Sequence, residues 1–151
     1  MPTKNTNSIV ILVADDDAED RMLVKDALDE SRLANNVNFV EDGEELMHYL
    51  RNTGKYTDKT KYPTPGLILL DLNMPRKDGR EAVKEIKSDP RLRVIPIVVL
   101  TTSKAEEDIL KTYDLGVSSF ITKPVTFSSM VEIMKTLGKY WFEIVELPPK
   151  P

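Results

Sequence analysis

The chain of 151 residues contains no cysteine and one histidine, His48, and both shortages exclude classes of chemistry. Without cysteine there is no thiol nucleophile, no disulfide and no cysteine-ligated zinc site. A single histidine cannot form a two-histidine metal site. We interpret His48 as a partly exposed residue of a predicted helix, and the alternative is a phosphohistidine donor.

Long apolar runs are also missing. No run approaches the roughly 18–20 residues that span a bilayer, and the first residues lack the apolar core of a secretory signal. We therefore expect a cytoplasmic protein with no membrane partner.

Basic residues are too few and too scattered to form a nucleic-acid platform. The chain has 21 Lys and Arg against 25 Asp and Glu, a net charge of −4, whereas neutralising phosphates requires clustered basic residues. We expect no nucleic-acid partner. The acidic residues do cluster, at Asp15–Asp17, Glu19 and Asp20.

Short apolar runs alternate with segments of helical periodicity. The runs, rich in Val, Ile and Leu, are predicted strands: Ile9–Val13, Val37–Val40, Leu67–Leu70, Ile95–Leu100 and Phe120–Ile121. The predicted helices are 19–33, 44–51, 80–88, 105–115 (with Gly116 as C-cap) and 127–147. Continuously apolar runs are typical of strands buried on both faces of a parallel sheet.

This alternation predicts an α/β fold with helices on both faces of a sheet. At this size the usual solution is the flavodoxin-like, doubly wound, five-stranded parallel sheet with strand order 2-1-3-4-5. We expect a flexible N-terminus at 1–7, one domain at 8–147 with an extended C-terminal helix, and a tail at 148–151. The long segment 52–65 is interpreted as a solvated loop, or alternatively as a docking patch of its lysines and tyrosines.

Residues that can carry chemistry follow four of the five predicted strands: Asp15 and Asp16, Asp71, Thr101 and Thr102, and Lys123 and Pro124. Ligands of open α/β sheets bind beyond the carboxyl ends of the strands. We therefore expect three carboxylates, a hydroxyl and an ammonium group at one edge.

Three neighbouring carboxylates repel one another unless a cation lies among them, and Mg²⁺ or Mn²⁺ suits oxygen ligands. One aspartate can then act as the nucleophile of a phosphoryl transfer, which depends mostly on positioning and charge neutralisation. The charges balance, because Asp15, Asp16 and Asp71 carry three negative charges and Mg²⁺ with Lys123 returns three positive ones.

Four segments in register resemble the receiver domains of bacterial response regulators over roughly residues 8–140. The segment LILLDLNMPRKDG (Leu67–Gly79) resembles their phosphoacceptor motif. VADDDAED, PIVVLTTS and FITKP match the motifs that follow the first, fourth and fifth strands.

The resemblance implies a role for each site residue. Asp71 would be the phosphoacceptor and Asp16 a direct Mg²⁺ ligand. Asp15 would bind mainly through water, and the backbone carbonyl of Asn73 would complete the metal ligands. Lys123 would pair with the phosphoryl group.

The resemblance also implies switching and rate-tuning residues. Thr101 would be the switch hydroxyl, and Phe120 would be the aromatic residue whose rotamer follows it. Asn73 and Ser103 would tune hydrolysis of the phosphoaspartate. Asp17 makes a triple acid where the family pattern has a pair, so we interpret it as an N-cap or surface residue. A register of Asp16 with Asp17 is the alternative.

Two rival functions share an aspartate site or a similar sheet. A phosphatase of the haloacid-dehalogenase type needs a second aspartate two residues after the nucleophile, where this chain has Asn73. A flavodoxin-like electron carrier needs a phosphate-binding loop where this chain has ADDDAED.

A receiver that acts as a phosphorylation-independent scaffold is a third alternative. We expect no enzymatic activity beyond Mg²⁺-dependent self-phosphorylation and self-dephosphorylation.

Partners are predicted from the resemblance and from the last helix. The loop 52–65 and the ending resemble the single-domain cyanobacterial regulators that pair with phytochromes, which implies a sensor histidine kinase such as a phytochrome. No output domain follows residue 147, so we expect signalling through an unknown downstream protein.

The last predicted helix has two apolar stripes. We expect a core-facing stripe and a second, surplus one: Phe127, Met130, Met134, Leu137 and Trp141, against Ile133, Tyr140, Ile144 and Leu147. Exposed apolar surface marks interaction sites. This favours a homodimer that uses the last helix and the C-terminal extension, and the resemblance to receiver domains implies that helix 105–115 and the fifth strand also contribute. The alternative is a tail that folds back over its own core after Lys139.

Overall fold

The computed structural model describes residues 10–30, 37–101, 114–122 and 126–138. Its elements in chain order are β1 (Ile11–Ala14), α1 (Ala18–Glu30), β2 (Val37–Val40), α2 (Gly43–Arg51), a 3₁₀ turn (Gly54–Tyr56), β3 (Leu67–Leu70), α3 (Gly79–Ser88), β4 (Ile97–Thr101), β5 (Ser119–Thr122) and α4 (Phe127–Gly138). The helix predicted at 105–115 lies outside the described residues except for its end. There, Gly116 has a φ of +102°, as its predicted role as C-cap requires.

All five strands pair in parallel in the order β2-β1-β3-β4-β5, which confirms the predicted doubly wound sheet. Every residue of β1 and β3 is buried, as expected for central strands of such a sheet. The predicted fourth strand began too early, at Ile95. Pro96 has no amide hydrogen for the ladder, and the strand starts after it.

Helices cover both faces of the sheet and divide the core in two. One half packs α2 and α3 against the sheet through residues such as Leu46, Val83 and Ile86. The other half packs α1 and α4, through residues such as Leu28 and Met134. The buried strands β1 and β3 therefore contribute side chains to both halves of the core.

Helix α4 confirms the predicted core positions of Met130 and Met134 and differs at its first residue, while Leu137 and Trp141 have no described side chains. Met130, Val131 and Met134 are buried, and Ile133 packs partly against the same core, although we assigned it to the surplus face. Phe127 is 44% exposed, so its assignment to the core is wrong. It is the first residue of the helix, and helical side chains tilt toward the N-terminus, which carries this ring away from the core.

The segment 52–65 is packed rather than merely solvated. The rings of Tyr49, Tyr56 and Tyr62 contact one another with centroids 4.8 to 5.7 Å apart, mostly edge to face. The Tyr49 hydroxyl donates to the carbonyl of Pro63 at 2.9 Å. The side-chain Nδ2 of Asn52 donates to the backbone carbonyls of Tyr56 and Tyr62, at 2.9 and 3.0 Å. We call these three rings the tyrosine cluster.

The tyrosine cluster corrects the placement of Tyr56 and Tyr62, while most other residues of the segment are exposed, as expected of a solvated loop. Tyr56 is buried and Tyr62 is half-buried against the core, so both rings contribute to packing. Lys55, Lys59 and Lys61 are exposed, and Lys55 pairs with Glu45 at 3.2 Å. Burial, together with the Glu45 carboxylate, raises the pKa of the Tyr56 hydroxyl, so this ring stays neutral.

Candidate functional site

The sheet itself fixes two aspartates at the carboxyl ends of its central strands. The amide of Asp15 donates to the carbonyl of Val40 at 3.1 Å, and the amide of Asp71 donates to that of Ala14 at 2.9 Å. Both bonds extend the strand pairing one residue beyond β1 and β3. The positions of Asp15 and Asp71 are therefore set by the most buried part of the fold.

Local hydrogen bonds orient the two side chains. Asp15 Oδ1 accepts from the amide of Asp17 at 3.0 Å, and Asp71 Oδ1 accepts from the amide of Asn73 at 3.1 Å. A bond to an amide two residues ahead is typical of an aspartate that begins a turn. Each carboxylate is thus held as its strand turns into the following loop.

Asp16 completes an acidic cluster with these two residues. One carboxylate oxygen from each of Asp15, Asp16 and Asp71 lies within 4.8 Å of the others. Asp15 is 3% and Asp71 7% exposed, while Asp16 is exposed. The cluster combines two buried acids with one open to solvent.

Asp17 has a separate role at the start of α1. Its Oδ1 accepts from the amides of Glu19 and Asp20, at 2.8 and 3.3 Å, and the side chain is exposed. These bonds identify it as the N-cap of α1. The acidic group contains Asp15 and Asp16 rather than the alternative pair of Asp16 with Asp17.

The other predicted site residues are only partly described. Thr101 is the last residue of β4 and pairs with Thr122, the last residue of β5. Lys123 is the next residue in the sequence after this edge of the sheet. Lys123 and Ser103 lie outside the described residues. Phe120 is half-buried in β5 and packs on the core half beneath α2 and α3.

His48 is exposed on α2, as predicted, and makes a hydrogen bond with the hydroxyl of Thr53 at 2.8 Å. Asn73 is exposed directly after the acidic cluster.

Two further residues near the ends of β1 and β2 were not predicted from the sequence. The guanidinium of Arg21 donates to the carbonyl of Asp15 at 2.8 Å and lies 3.8 Å from the Glu41 carboxylate, which links the ends of β1 and β2. Asp42 is a buried carboxylate whose Oδ1 accepts from the amide of Glu45 at 2.8 Å. The pattern Asp-x-x-Glu before an apolar run is a capping-box signal that could have revealed Asp42.

The acidic cluster fits a hard divalent cation. It offers oxygen donors alone, and Mg²⁺ and Mn²⁺ prefer carboxylates, carbonyls and water over nitrogen or sulfur. Its like charges are close enough to repel strongly in a largely buried setting. A bound divalent cation would relieve that repulsion.

The described helices can be compared with the requirements for a helix that spans a membrane. None of the helices in the described part of the chain has the length and apolar character that a membrane crossing requires.

Comparisons with known proteins agree with this architecture. Residues 11–135 match the family model of the response regulator receiver domain. Response regulator Rcp1 from Synechocystis sp. is 40% identical over 139 residues, which cover 92% of each chain.

Solved structures give the same result. The phosphorylated cyanobacterial phytochrome response regulator RcpA is 44% identical with a TM-score of 0.85, over 93% of this chain and 99% of that one. The Mn²⁺-bound form of Rcp1 is 39% identical with a TM-score of 0.83 over the same shares. The family match runs from β1 into the last turn of α4, and this chain belongs to the response regulator receiver domains.

Proposed function

We propose that the protein is a phosphorylation-dependent response regulator that accepts a phosphoryl group on Asp71 and signals by a change of conformation. The observation that carries this proposal is the acidic cluster, in which the Asp71 carboxylate lies beside those of Asp15 and Asp16. Its place at the carboxyl edge of a parallel sheet is where open α/β folds bind ligands.

The proposed reaction is a phosphoryl transfer between a histidine and an aspartate. A carboxylate oxygen of Asp71 forms a bond to phosphorus as the phosphorus–nitrogen bond of a kinase phosphohistidine breaks. The departing imidazole nitrogen keeps the bonding electrons and takes a proton from solvent. Water later attacks the acyl phosphate, which regenerates the Asp71 carboxylate and releases inorganic phosphate.

We propose that Asp15, Asp16, Asp71 and the backbone carbonyl of Asn73 hold the divalent cation, with Asp15 contributing mainly through water. When bound, the cation supplies positive charge that offsets both the carboxylates and the phosphoryl oxygens. Asp15 and Asp71 are pre-oriented for this task by their bonds to the amides of Asp17 and Asn73.

The remaining roles are proposed from sequence position. Lys123 would pair with the phosphoryl group, and Thr101 would be the hydroxyl whose movement Phe120 follows. Asn73 and Ser103 would set the rate of self-dephosphorylation. Asn73 lacks the acid–base group that a haloacid-dehalogenase-like phosphatase needs, so we favour a stable acyl phosphate over turnover of a separate substrate.

We propose a sensor histidine kinase, such as a phytochrome, as the phosphoryl donor. The support is the similarity to RcpA, a cyanobacterial phytochrome response regulator, over 93% of this chain. The downstream partner would be a protein that distinguishes the phosphorylated form.

Acetyl phosphate with Mg²⁺ is expected to add one phosphoryl group to the purified chain, measured by intact mass. The product should disappear on treatment with hydroxylamine, which cleaves acyl phosphates but spares phosphoserine and phosphothreonine. Removing the cation with a chelator beforehand should prevent labelling, because the carboxylates and the phosphoryl group would then repel. A chain that stays unlabelled with Mg²⁺ present would favour the phosphorylation-independent scaffold.

We also propose that residues 8–147 form one receiver domain with an extended last helix. Two copies of this domain would form a homodimer. The interface would include the segment 105–115, β5, α4 and the residues after 139. Among described residues, the support is the exposed Phe127 at the start of α4 and the four half-buried residues of β5, an edge strand. Apolar and aromatic residues left at such an edge are typical of interaction sites.

Light scattering at micromolar concentration is expected to give the mass of a dimer, with a larger dimeric fraction after phosphorylation. Truncation after Lys139 should reduce that fraction, while Met22→Ser, which removes an exposed apolar side chain from α1, should leave it unchanged. A parent chain that remains monomeric in both states would exclude this interface.

A further inference from the structure

The loop that follows Asp71 is held in a tight conformation. We call residues 72–78 the acceptor loop. The amide of Gly79 donates to the carbonyl of Leu72 at 2.9 Å, so the loop closes on its own beginning. Arg76 has a φ of +67°, a conformation that residues other than glycine rarely adopt. Contacts between the loop and the surrounding structure must offset the strain of this turn.

The middle of the acceptor loop rests on the N-terminus of α2. A Cβ atom added to Gly43, the first residue of α2, would lie 2.0 Å from the backbone oxygen of Lys77. Only a glycine allows the two backbones to approach this closely. Next to this contact, Nη1 of Arg76 lies 3.5 Å from Oδ2 of Asp42.

Asp42 uses both of its carboxylate oxygens. Oδ1 accepts from the amide of Glu45 and caps α2, while Oδ2 faces Arg76. The Asp42 side chain is 9% exposed and that of Arg76 is 66% exposed, so the ion pair joins a poorly solvated carboxylate to a guanidinium at the surface. The same carboxylate therefore fixes the start of α2 and the strained residue of the acceptor loop.

Further bonds hold the first turn of α2 in place. Oε1 of Glu45 accepts from the amide of Glu41 at 2.9 Å, and Oε2 pairs with Lys55 at 3.2 Å. Burial opposes ionisation of Glu45, but these bonds outweigh it and leave the pKa of Glu45 below its ordinary value. The acceptor loop thus contacts a helix end that several bonds hold in place and that lies outside the acidic cluster.

We propose that Asp42 and Arg76 are positioning residues for the phosphoryl chemistry at Asp71. Through their ion pair and the Gly43–Lys77 contact, the N-terminus of α2 fixes the acceptor loop and with it the backbone of Asn73. The inference rests on the proposed function, in which the Asn73 carbonyl is a cation ligand.

The test compares Asp42→Asn with Arg76→Gln by titrating each variant with Mg²⁺ alone in a calorimeter. Asparagine caps a helix as well as aspartate, so Asp42→Asn removes the ion pair and keeps the cap. Both variants are expected to bind Mg²⁺ about three- to tenfold more weakly and to be phosphorylated more slowly by acetyl phosphate.

The two variants separate positioning from simple electrostatics. Removing a negative charge near the site should weaken cation binding, whereas removing a positive charge should strengthen it. Weaker binding in Arg76→Gln is therefore the decisive result, because the field of the lost charge acts in the opposite direction. The double variant should be no weaker than the worse single variant, since both break the same pair.

Lys25 and Asp29 provide matched controls, because they form an exposed ion pair of similar length, 3.4 Å, on α1. Lys25→Gln and Asp29→Asn should change Mg²⁺ affinity by less than about twofold. Arg76→Gly relieves the backbone strain but also removes the ion pair. It should bind Mg²⁺ weakly even if its melting temperature equals or exceeds that of the parent.

Tighter Mg²⁺ binding in Arg76→Gln, or affinities equal to those of the controls, would overturn the inference. Failure of the proposed function looks different, since the parent itself would then neither bind Mg²⁺ nor accept a phosphoryl group from acetyl phosphate.

Discussion

Replacing Asp71 with asparagine is expected to abolish labelling by acetyl phosphate altogether. An amide oxygen is too weak a nucleophile to form the acyl phosphate, and the cation loses one of its three carboxylates. The fold should persist, because the asparagine oxygen can still accept from the amide of Asn73. Intact mass after incubation with Mg²⁺ and acetyl phosphate measures the outcome.

Stability gives a second measurement on the same variant. Asp71 is buried beside Asp15 and Asp16, so neutralising it removes repulsion among like charges. In metal-free buffer, Asp71→Asn should therefore melt at the same temperature as the parent or higher. The matched control is Asp17→Asn, which keeps an N-cap on α1 and should be labelled normally. Labelling of Asp71→Asn at the parental rate would place the phosphoacceptor elsewhere.

Replacing Gly43 with alanine is expected to destabilise the fold by about 2–3 kcal/mol, as overpacking a rigid contact does. The new methyl group would lie 2.0 Å from the carbonyl oxygen of Lys77 and 2.6 Å from its Cβ, so α2 or the acceptor loop must move. For a chain of this size the melting temperature should fall by roughly 5–10 °C.

The sign of this effect is informative, because alanine has a higher helix propensity than glycine by about 1 kcal/mol. Propensity alone therefore predicts stabilisation. Glu44→Ala, at the exposed neighbouring position on α2, is the control and should stay within about 0.5 kcal/mol of the parent. A Gly43→Ala variant as stable as the parent would show that the acceptor loop yields easily at this contact.

The sheet could be predicted from the sequence because its signals are local. The bounds of β2 and β3 were predicted without error, since each is a compact apolar run with turn formers or polar residues on either side. Once the strands are parallel, the residues that follow β1 and β3 must share an edge. For this reason the sequence alone groups Asp15 with Asp71.

Most of the missed features depend on contacts between distant segments. Asp42 and Arg76 are 34 positions apart, and no local pattern indicates that they pair. Tyr56 lies among turn formers and charges, so composition indicates solvent exposure, yet its ring fills a space that Tyr49 and Tyr62 create. Phe127 has the right helical spacing for the core, but a first-turn position leaves it exposed.

The tyrosine cluster has a consequence for how this domain can be shortened or recombined. The segment 52–65 cannot be transplanted by itself into a receiver domain that has a short loop between α2 and β3. Two of the three rings belong to the segment 52–65, while Tyr49 belongs to α2 and is tied by its hydroxyl to Asn38 of β2. Deleting the segment would leave a cavity beside Tyr49. Transferring it to another domain would require that domain to have Tyr49 and Asn38 as well. The segment packs as part of the core. It is therefore a poor position for insertions, and chimeras that exchange it must also preserve its packing partners.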